Sequence, residues 1–155
     1  MNSIVLQQPP KIVFGINTIS KLTEEELIKS SNKILFLIAV PVMEFLQPII
    51  NQLQENEKSL LVIPYNFPGE PTFAQFDTFL EQSILFNPDC VIGVGGGSVL
   101  DSAKLLAAMT GNEQRYADVV GVGLLSKRMK KLICISTTSG TGSEVSPIAI
   151  LLNEK

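Results

Sequence analysis

The run Gly95–Gly97 restricts the fold of this chain more than any other feature, because it joins an apolar segment directly to a helical one. The residues before it, Cys90–Val94, are typical of a buried strand, and Ser98–Thr110 predicts a helix that ends at Gly111. Residues without side chains let the backbone approach a ligand, and the first N–H groups of a helix favour negative charge. We therefore predict an anion site at this turn, with a phosphate group as the ligand it suits best.

Apolar segments alternate with segments of helical character along the rest of the chain, with no internal repeat and no flexible linker. Prolines, glycines and capping residues mark where the segments end. The predicted strands are Lys11–Gly15 (a short edge strand), Ile34–Val40, Leu60–Ile63, Cys90–Val94, Leu132–Ile135 and Ile148–Leu152.

Two helices are predicted in the first half of the chain. The segment Thr23–Glu26 resembles a capping box that opens a short helix toward Ser30. Apolar residues at helical spacing predict a second helix over Val42–Leu53, which Pro48 should kink or divide.

A third helix is predicted after the proline-rich segment Pro64–Pro71, which we expect to be a rigid loop. Thr72 should cap this helix together with Gln75, three residues further on. The expected buried stripe consists of Phe73, Phe76, Leu80 and Ile84.

The predicted strands are apolar throughout, which is typical of a parallel sheet covered by helices on both faces. A chain of 155 residues with 45% hydrophobic content suits a single α/β domain. Ligands of such sheets bind beyond the carboxyl ends of the strands. A second loop of small residues, Thr137–Ser143, follows the strand Leu132–Ile135. We therefore expect this loop and the glycine turn to face one ligand at the same edge of the sheet.

The glycine turn nearly matches the dinucleotide-binding fingerprint, with Ser98 in the place of its third glycine. The Ser98 hydroxyl could cap the helix or donate to a phosphate oxygen. Asp101 lies in the first helical turn, where its charge suits the helix but would repel a phosphate. We therefore expect Asp101 to contact a ribose, an amide or the neighbouring loop. Lys104, one turn further on, is either a solvated cation or a partner of Asp101.

Each loop also has a plainer interpretation. The glycines could serve only the tight packing of a strand against a helix, without any ligand. The loop Thr137–Ser143 could be an ordinary hydroxyl-rich turn, although its hydroxyls also suit a pyrophosphate or a ribose.

Composition excludes several other functions. The net charge of −3 and pI of about 5.0 argue against a nucleic-acid partner. The sequence contains no histidine, so no Ser-His-Asp or Cys-His catalytic set is available. Cys90 and Cys134 lie in apolar segments and are predicted to be reduced core thiols. The segment Met1–Ile4 lacks a leader pattern and no apolar run is long enough to span a membrane, so we expect a cytoplasmic protein.

The segments Gly95–Lys104 and Thr137–Pro147 resemble the iron-dependent alcohol dehydrogenases, also called group III alcohol dehydrogenases. Phe14–Gly15 and Gly69–Thr72 are similar to that family as well, so the resemblance covers nearly the whole chain. It implies a Rossmann-like cofactor-binding domain, residues 1–155 here, whose two loops bind either side of NAD or NADP. Carried over by position, the cofactor-binding residues are Gly96, Gly97, Ser98, Asp101, Thr137, Thr138, Thr141, Ser146 and Ile150.

Two departures from the family pattern concern the cofactor. Many members have a Thr-Asp pair at the end of the first strand, whose carboxylate holds the adenosine ribose, and this chain has Ala39 and Val40. The resemblance therefore does not imply the usual preference for NAD, and NADP becomes admissible. Ser136 replaces the proline that usually precedes the Thr-Thr pair, which loosens the loop without removing a ligand.

The resemblance also implies a second, helical domain in which an aspartate and three histidines hold iron or zinc. This sequence has no histidine and so supplies no such site. We expect an excised domain or a natural truncation of an enzyme that transfers hydride between an alcohol or aldehyde and the cofactor, inactive alone. The edge strand at Lys11–Phe14 and an unpaired terminal strand would favour a homodimer.

Other functions are weighed against this one. A stand-alone nucleotide-binding or subunit-interaction module without catalysis, and an inert structural remnant, are the main alternatives. Glycerol dehydrogenase and dehydroquinate synthase share the glycine turn, but Thr137–Pro147 is less similar to theirs. A kinase lacks support because there is no GxxxxGK[ST] motif. The alcohol substrate is not indicated by these residues.

Overall fold

The computed structural model describes residues 9–121 and 123–153, which contain a four-stranded sheet with helices on both faces. Met1–Ile4, the segment on which the expectation about a leader rests, lies outside the described residues. The strands are β1 Lys33–Ala39, β2 Ser59–Tyr65, β3 Cys90–Gly95 and β4 Lys131–Ser136. The helices are α1 Glu26–Lys29, α2 Met43–Glu55, α3 Phe73–Phe86 and α4 Gly97–Met109, with 3₁₀ turns at Thr18–Glu24, Val40–Val42 and Tyr116–Val119.

All neighbouring strands of the sheet are parallel, in the order β2-β1-β3-β4. Leu35 at the middle of β1 lies opposite Leu61 of β2 and Val91 of β3. Every residue of β3 is buried, because helices cover the sheet on both sides. The predicted parallel sheet is therefore confirmed.

Alternate residues of β1 pack on opposite faces of the sheet. Phe36 lies in one apolar core together with residues of α2. Leu35 lies in a second core, formed with α3 and α4. Both side chains are fully buried. This two-faced arrangement confirms the Rossmann-like α/β fold.

The strand order reverses between β1 and β3. The chain runs from β1 to β2 on one side, and then returns past β1 to place β3 and β4 on the other side. In open parallel sheets, a crevice forms at the carboxyl ends of the strands where the order reverses, and ligands bind there. The turn from β3 into α4 lies beside this crevice.

Two predicted strands are not formed. Residues 11–15 have no regular structure, and Phe14 is 99% exposed, since no neighbouring strand among the described residues pairs with them. Residues 148–152 are irregular apart from an isolated parallel bridge between Thr72 and Leu152. Here the Ile148 carbonyl and the Ile150 amide are taken by side chains of α4, and so cannot pair with a strand. The prediction of a homodimer was based on these two strands, and neither is formed.

The first two helices differ from prediction in their details. The predicted capping box at Thr23 is wrong, because α1 begins at Glu26 and Thr23 lies in the preceding 3₁₀ turn. The Thr23 hydroxyl instead contacts the Gln52 side chain at 3.3 Å. Pro48 does not divide α2, which continues from Met43 to Glu55.

Thr72 and Gln75 form the predicted capping box of α3. The buried stripe of this helix is rotated from its predicted position: Phe76 is buried as expected, but Phe79 is buried as well and Ile84 is 54% exposed. β2 extends through Pro64 and Tyr65, which sequence assigns to a loop, since Pro64 is tolerated on an edge strand.

Candidate functional site

Two of the glycines before α4 make room for packing. A Cβ built on Gly93 would lie 2.6 Å from the Cβ of Ala103, and one on Gly95 would lie 2.6 Å from the Cγ2 of Val99. Neither glycine has a positive φ angle, so space is what these positions require. The packing interpretation therefore accounts for Gly93 and Gly95 without any ligand.

The next two glycines face the threonine-rich loop. A Cβ on Gly96 would lie 3.2 Å from the Oγ1 of Thr138, and one on Gly97 would lie 3.3 Å from the Cγ2 of Thr141. The Thr137 amide donates to the Gly95 carbonyl at 3.0 Å. The two loops thus meet at the carboxyl edge of the sheet, as the sequence predicts.

The amino end of α4 provides the electrostatic character of the site. Gly96 is the N-cap residue and, being a glycine, has no side chain that could cap the helix, so the first N–H groups of α4 receive no side-chain hydrogen bond from that position. A helix N-terminus of this kind favours an anion. Gly96 and Ser98 also line a neighbouring open cleft.

That cleft, about 430 Å³ in volume, lies at the carboxyl ends of β1 and β2. Besides Gly96 and Ser98 it is lined by Ala39, Pro41, Tyr65, Asn66, Phe67, Pro68, Gly69 and Val99. Aromatic contacts stiffen one wall, where the ring centroids of Tyr65 and Phe67 lie 5.6 Å apart in an edge-on arrangement. The residues from Tyr65 to Pro68 were missed in the sequence, although their position at the end of a strand and directly after it could have indicated them.

Tyr65 connects this wall to the glycine turn. Its hydroxyl donates to the Gly69 carbonyl at 2.9 Å and also contacts the side chain of Ser98. Burial, followed by the charge of nearby Glu70, raises the pKa of Tyr65 to about 12, and the contact with Ser98 offsets part of that rise. The hydroxyl is therefore a neutral donor at physiological pH. Among the described residues, the Oε2 atom of Glu70 is buried without a hydrogen-bond partner.

Asp101 and Lys104 face away from the cleft, toward the segment that follows β4. Asp101 is 6% exposed and accepts hydrogen bonds from the Ser143 hydroxyl and, at 3.1 Å, from the Ile150 amide. The Nζ atom of Lys104 lies 2.7 Å from the Oδ1 of Asp101. Of the roles weighed for Asp101, these contacts match the one of bracing the neighbouring loop.

The remaining candidate residues lie along the same segment. Thr137, Thr138 and Thr141 are exposed beside the glycine turn. The Ser146 hydroxyl accepts from the Ile148 amide at 3.1 Å, and Ile150 is 51% exposed. Ser146 and Ile150 therefore stand apart from the cleft lining, while Gly96 and Ser98 belong to it.

Neither a metal centre nor a membrane span is found in the described part of the chain. No group of three or more His, Cys, Asp or Glu residues there could hold a metal ion. Within residues 9–121 and 123–153, no helix has the length and apolar character needed to cross a bilayer.

The fold places this chain among Rossmann-like α/β proteins with a glycine-led helix at the carboxyl edge of the sheet. The family profile described as iron-containing alcohol dehydrogenase matches residues 9–155. The chain therefore belongs to the iron-containing alcohol dehydrogenase family.

Individual relatives agree with this assignment. The chain is 30% identical to aldehyde-alcohol dehydrogenase 2 of Entamoeba histolytica over 158 aligned residues, which cover 92% of this chain and 18% of that protein. It is 27% identical to an alcohol dehydrogenase of Thermococcus barophilus, covering 91% of this chain and 39% of the relative.

Solved structures match equally well. An NADH-dependent butanol dehydrogenase A from Thermotoga maritima superposes with a TM-score of 0.84 at 29% identity, covering 99% of this chain and 39% of the other. An iron-containing alcohol dehydrogenase from Thermococcus thioreducens also gives 0.84, at 26% identity, covering 97% and 41%. The chain thus spans well under half the length of these relatives.

Proposed function

We propose that residues 1–155 form the dinucleotide-binding domain of an alcohol dehydrogenase and hold NAD or NADP. The observation that carries this proposal is the position of the amino end of α4, which opens between the cleft and the threonine-rich loop. A helix N-terminus suits a pyrophosphate, and a surface extends from it in both directions for the two nucleosides.

In this arrangement the backbone N–H groups at Gly96, Gly97 and Ser98 bind the pyrophosphate, and the Ser98 hydroxyl donates to one of its oxygens. Without side chains at Gly96 and Gly97 a phosphate can approach the backbone closely. The same two glycines let the threonine-rich loop lie against the turn, because an added Cβ would be 3.2 Å from Thr138 or 3.3 Å from Thr141. The group fits the residues present.

The adenosine half lies in the cleft beside Ala39 and Tyr65, and the other half lies along Thr137, Thr138 and Thr141. Their hydroxyls suit ribose and amide groups. Asp101, Ser146 and Ile150 contribute by shaping the segment that follows β4. The Asp101 carboxylate accepts a hydrogen bond from the Ile150 amide, and the Ser146 hydroxyl accepts one from the Ile148 amide.

The cofactor supplies the site that accepts or donates hydride, and this chain supplies its binding and orientation. Iron, which the family name implies, does not fit the residues present, since the sequence has no histidine and the described part holds no ligand cluster. We therefore propose that the 155 residues bind the cofactor but do not oxidise alcohols alone.

Both NAD and NADP are admitted in this proposal. Val40, which follows the cleft residue Ala39, stands where many family members have the aspartate and carries no carboxylate that would repel a 2′-phosphate. The solved relative described as NADH-dependent supports NAD as one of the two. A cytoplasmic location is also proposed, in keeping with the free thiols of Cys90 and Cys134.

Calorimetric titration of the purified chain with NADH, NADPH and ADP-ribose tests the proposal, with saturable one-to-one binding as the expected result. Absence of binding to all three would contradict it and favour an inert remnant.

An alcohol-oxidation assay with added ferrous or zinc ions tests the proposed inactivity of the isolated chain, and turnover would overturn it. Binding without turnover is also what a stand-alone nucleotide-binding module would give, and binding to a second, histidine-bearing subunit would favour that alternative.

A further inference from the structure

The segment after β4 has little structure of its own. Residues 137–151 contain no helix or strand, and most of them are exposed. Only a few local bonds occur within it, such as those from the Val145 and Ser146 amides to the Gly142 carbonyl. Its position against α4 must therefore come from contacts outside the segment.

Lys104 supplies the largest group of those contacts. Its Nζ atom donates to the carbonyl oxygens of Ser143 at 3.0 Å, Ser146 at 3.2 Å and Ile148. The side chain is 12% exposed, and Asp101 lies one turn earlier on the same helix, 2.7 Å from the ammonium group. A single ammonium group thus gathers three carbonyls of one segment.

Asp101 completes the arrangement from the other side. It accepts from the Ser143 hydroxyl and from the Ile150 amide, while its charge balances Lys104. Charge-assisted hydrogen bonds in a shielded position are stronger than neutral ones. The pair therefore ties the segment at Ser143, Ser146, Ile148 and Ile150 to the helix whose amino end forms the anion site.

We propose that Lys104 is a positioning residue, which holds the segment so that Thr137, Thr138 and Thr141 remain beside the amino end of α4. This inference rests on the proposed dinucleotide function. A segment fixed before the ligand arrives does not have to be ordered on binding, so affinity is gained without any contact between Lys104 and the ligand.

The proposal predicts a split between two ligands. ADP occupies the cleft at β1 and β2 together with the anion site, and it does not extend along the threonine-rich loop. NADH extends over both regions. Removing Lys104 should therefore weaken NADH binding and leave ADP binding nearly unchanged. A general loss of structure would instead weaken the binding of both ligands.

The test compares the wild-type chain with Lys104→Met, which keeps the apolar stem, and with Lys21→Met, an exposed lysine of the first 3₁₀ turn, as the control. Calorimetry should give a Kd for NADH raised about tenfold in Lys104→Met, a Kd for ADP within about twofold, and no change in Lys21→Met. An equal loss of affinity for both ligands, or no loss of affinity for either, would overturn the inference.

Hydrogen exchange without ligand provides a second measurement. The amides of Val145, Ser146 and Ile150 should exchange faster in Lys104→Met, while β3 stays protected. Unchanged exchange in that segment would overturn the inference even if the wild-type chain binds NADH. A wild-type chain that binds neither NADH nor ADP would instead refute the proposed function. If Lys104→Met does not fold, Lys104→Gln, which keeps a donor amide, should show the same split at smaller size.

Discussion

Gly93 of β3 and Ala103 of α4 lie so close that a Cβ on Gly93 would be 2.6 Å from the Cβ of Ala103. The backbone of Gly93 meets the side chain of Ala103 here, and both residues are buried. The close approach brings α4 directly onto β3. As a result, the amino end of the helix opens at the edge where β3 ends.

Replacing Gly93 by alanine should therefore be costly. Overpacking of a buried site costs typically about 1–3 kcal/mol, and we expect Gly93→Ala to lower the free energy of unfolding by that amount in urea denaturation. Gly96→Ala is the control, because its added Cβ would lie 3.2 Å from the hydroxyl oxygen of Thr138, an exposed side chain that can turn away. Equal stability of the two variants would contradict this account of the packing.

Thr72 should contribute measurably to the stability of α3. Its side chain accepts from the Gln75 amide at 3.3 Å, and its own amide donates to the Gln75 side chain at 3.0 Å. Loss of such a cap costs about 1 kcal/mol, so Thr72→Ala should be less stable by that amount in thermal or urea unfolding. Thr78→Ala, at an exposed position inside the same helix, should be neutral or slightly stabilising. A cost at Thr78 as large as that at Thr72 would refute the assignment.

The two thiols should be unreactive in the folded protein. Burial raises the pKa of Cys90 to about 12 and that of Cys134 to about 11, from 9.0 for an ordinary thiol. Because the thiolate is the reacting form, Cys134 should react with a disulfide reagent at mildly alkaline pH about 100-fold more slowly than it does in denaturant. Rapid labelling of the native chain at either position would show that these strands are less enclosed than the structure indicates.

Stability should fall at alkaline pH. The folded state holds Cys90, Cys134 and Tyr65 with raised pKa values, so their neutral forms stabilise it fully below the unfolded values of 9.0 for thiols and 10.0 for tyrosine. As pH rises through the folded values, the unfolded state releases more protons and that stabilisation is lost. Urea unfolding at increasing pH should show the decline beginning near pH 9, and Tyr65→Phe should reduce the part above pH 10. A flat profile over that range would contradict the burial of these groups.

Much of the fold could be predicted from the sequence, because its four strands are long apolar runs with a proline or glycine near their ends. The same signal failed at Lys11–Gly15 and Ile148–Leu152, where the residues are apolar but a partner strand is lacking or the backbone is occupied. An apolar pattern indicates that a segment can be a strand. It does not identify which groups will take its hydrogen bonds.

The candidate site was predictable to a similar degree. The meeting of Gly96 with Thr138 follows from strand ends that share one edge of a parallel sheet. The pairing of Lys104 with Asp101 was one of the two roles that its spacing indicated. Its contacts with the segment after β4 were not predictable, since the partners there are backbone carbonyls, which every residue carries. The cleft wall at Tyr65 was missed for another reason. The prolines indicated that a loop begins at Pro64, whereas the strand continues through Pro64 and ends at Tyr65.

The central claim is that the amino end of α4 binds the pyrophosphate of a nicotinamide dinucleotide. Ser98→Asp places a carboxylate at the second position of α4, where it suits the helix but repels a phosphate. Ala74→Asp makes the same change at the second position of α3, at an exposed residue that does not line the cleft. Calorimetric titration with NADH should show binding weakened at least about tenfold in Ser98→Asp and unchanged in Ala74→Asp, with both variants as stable as the wild type. Wild-type affinity in Ser98→Asp would contradict the claim.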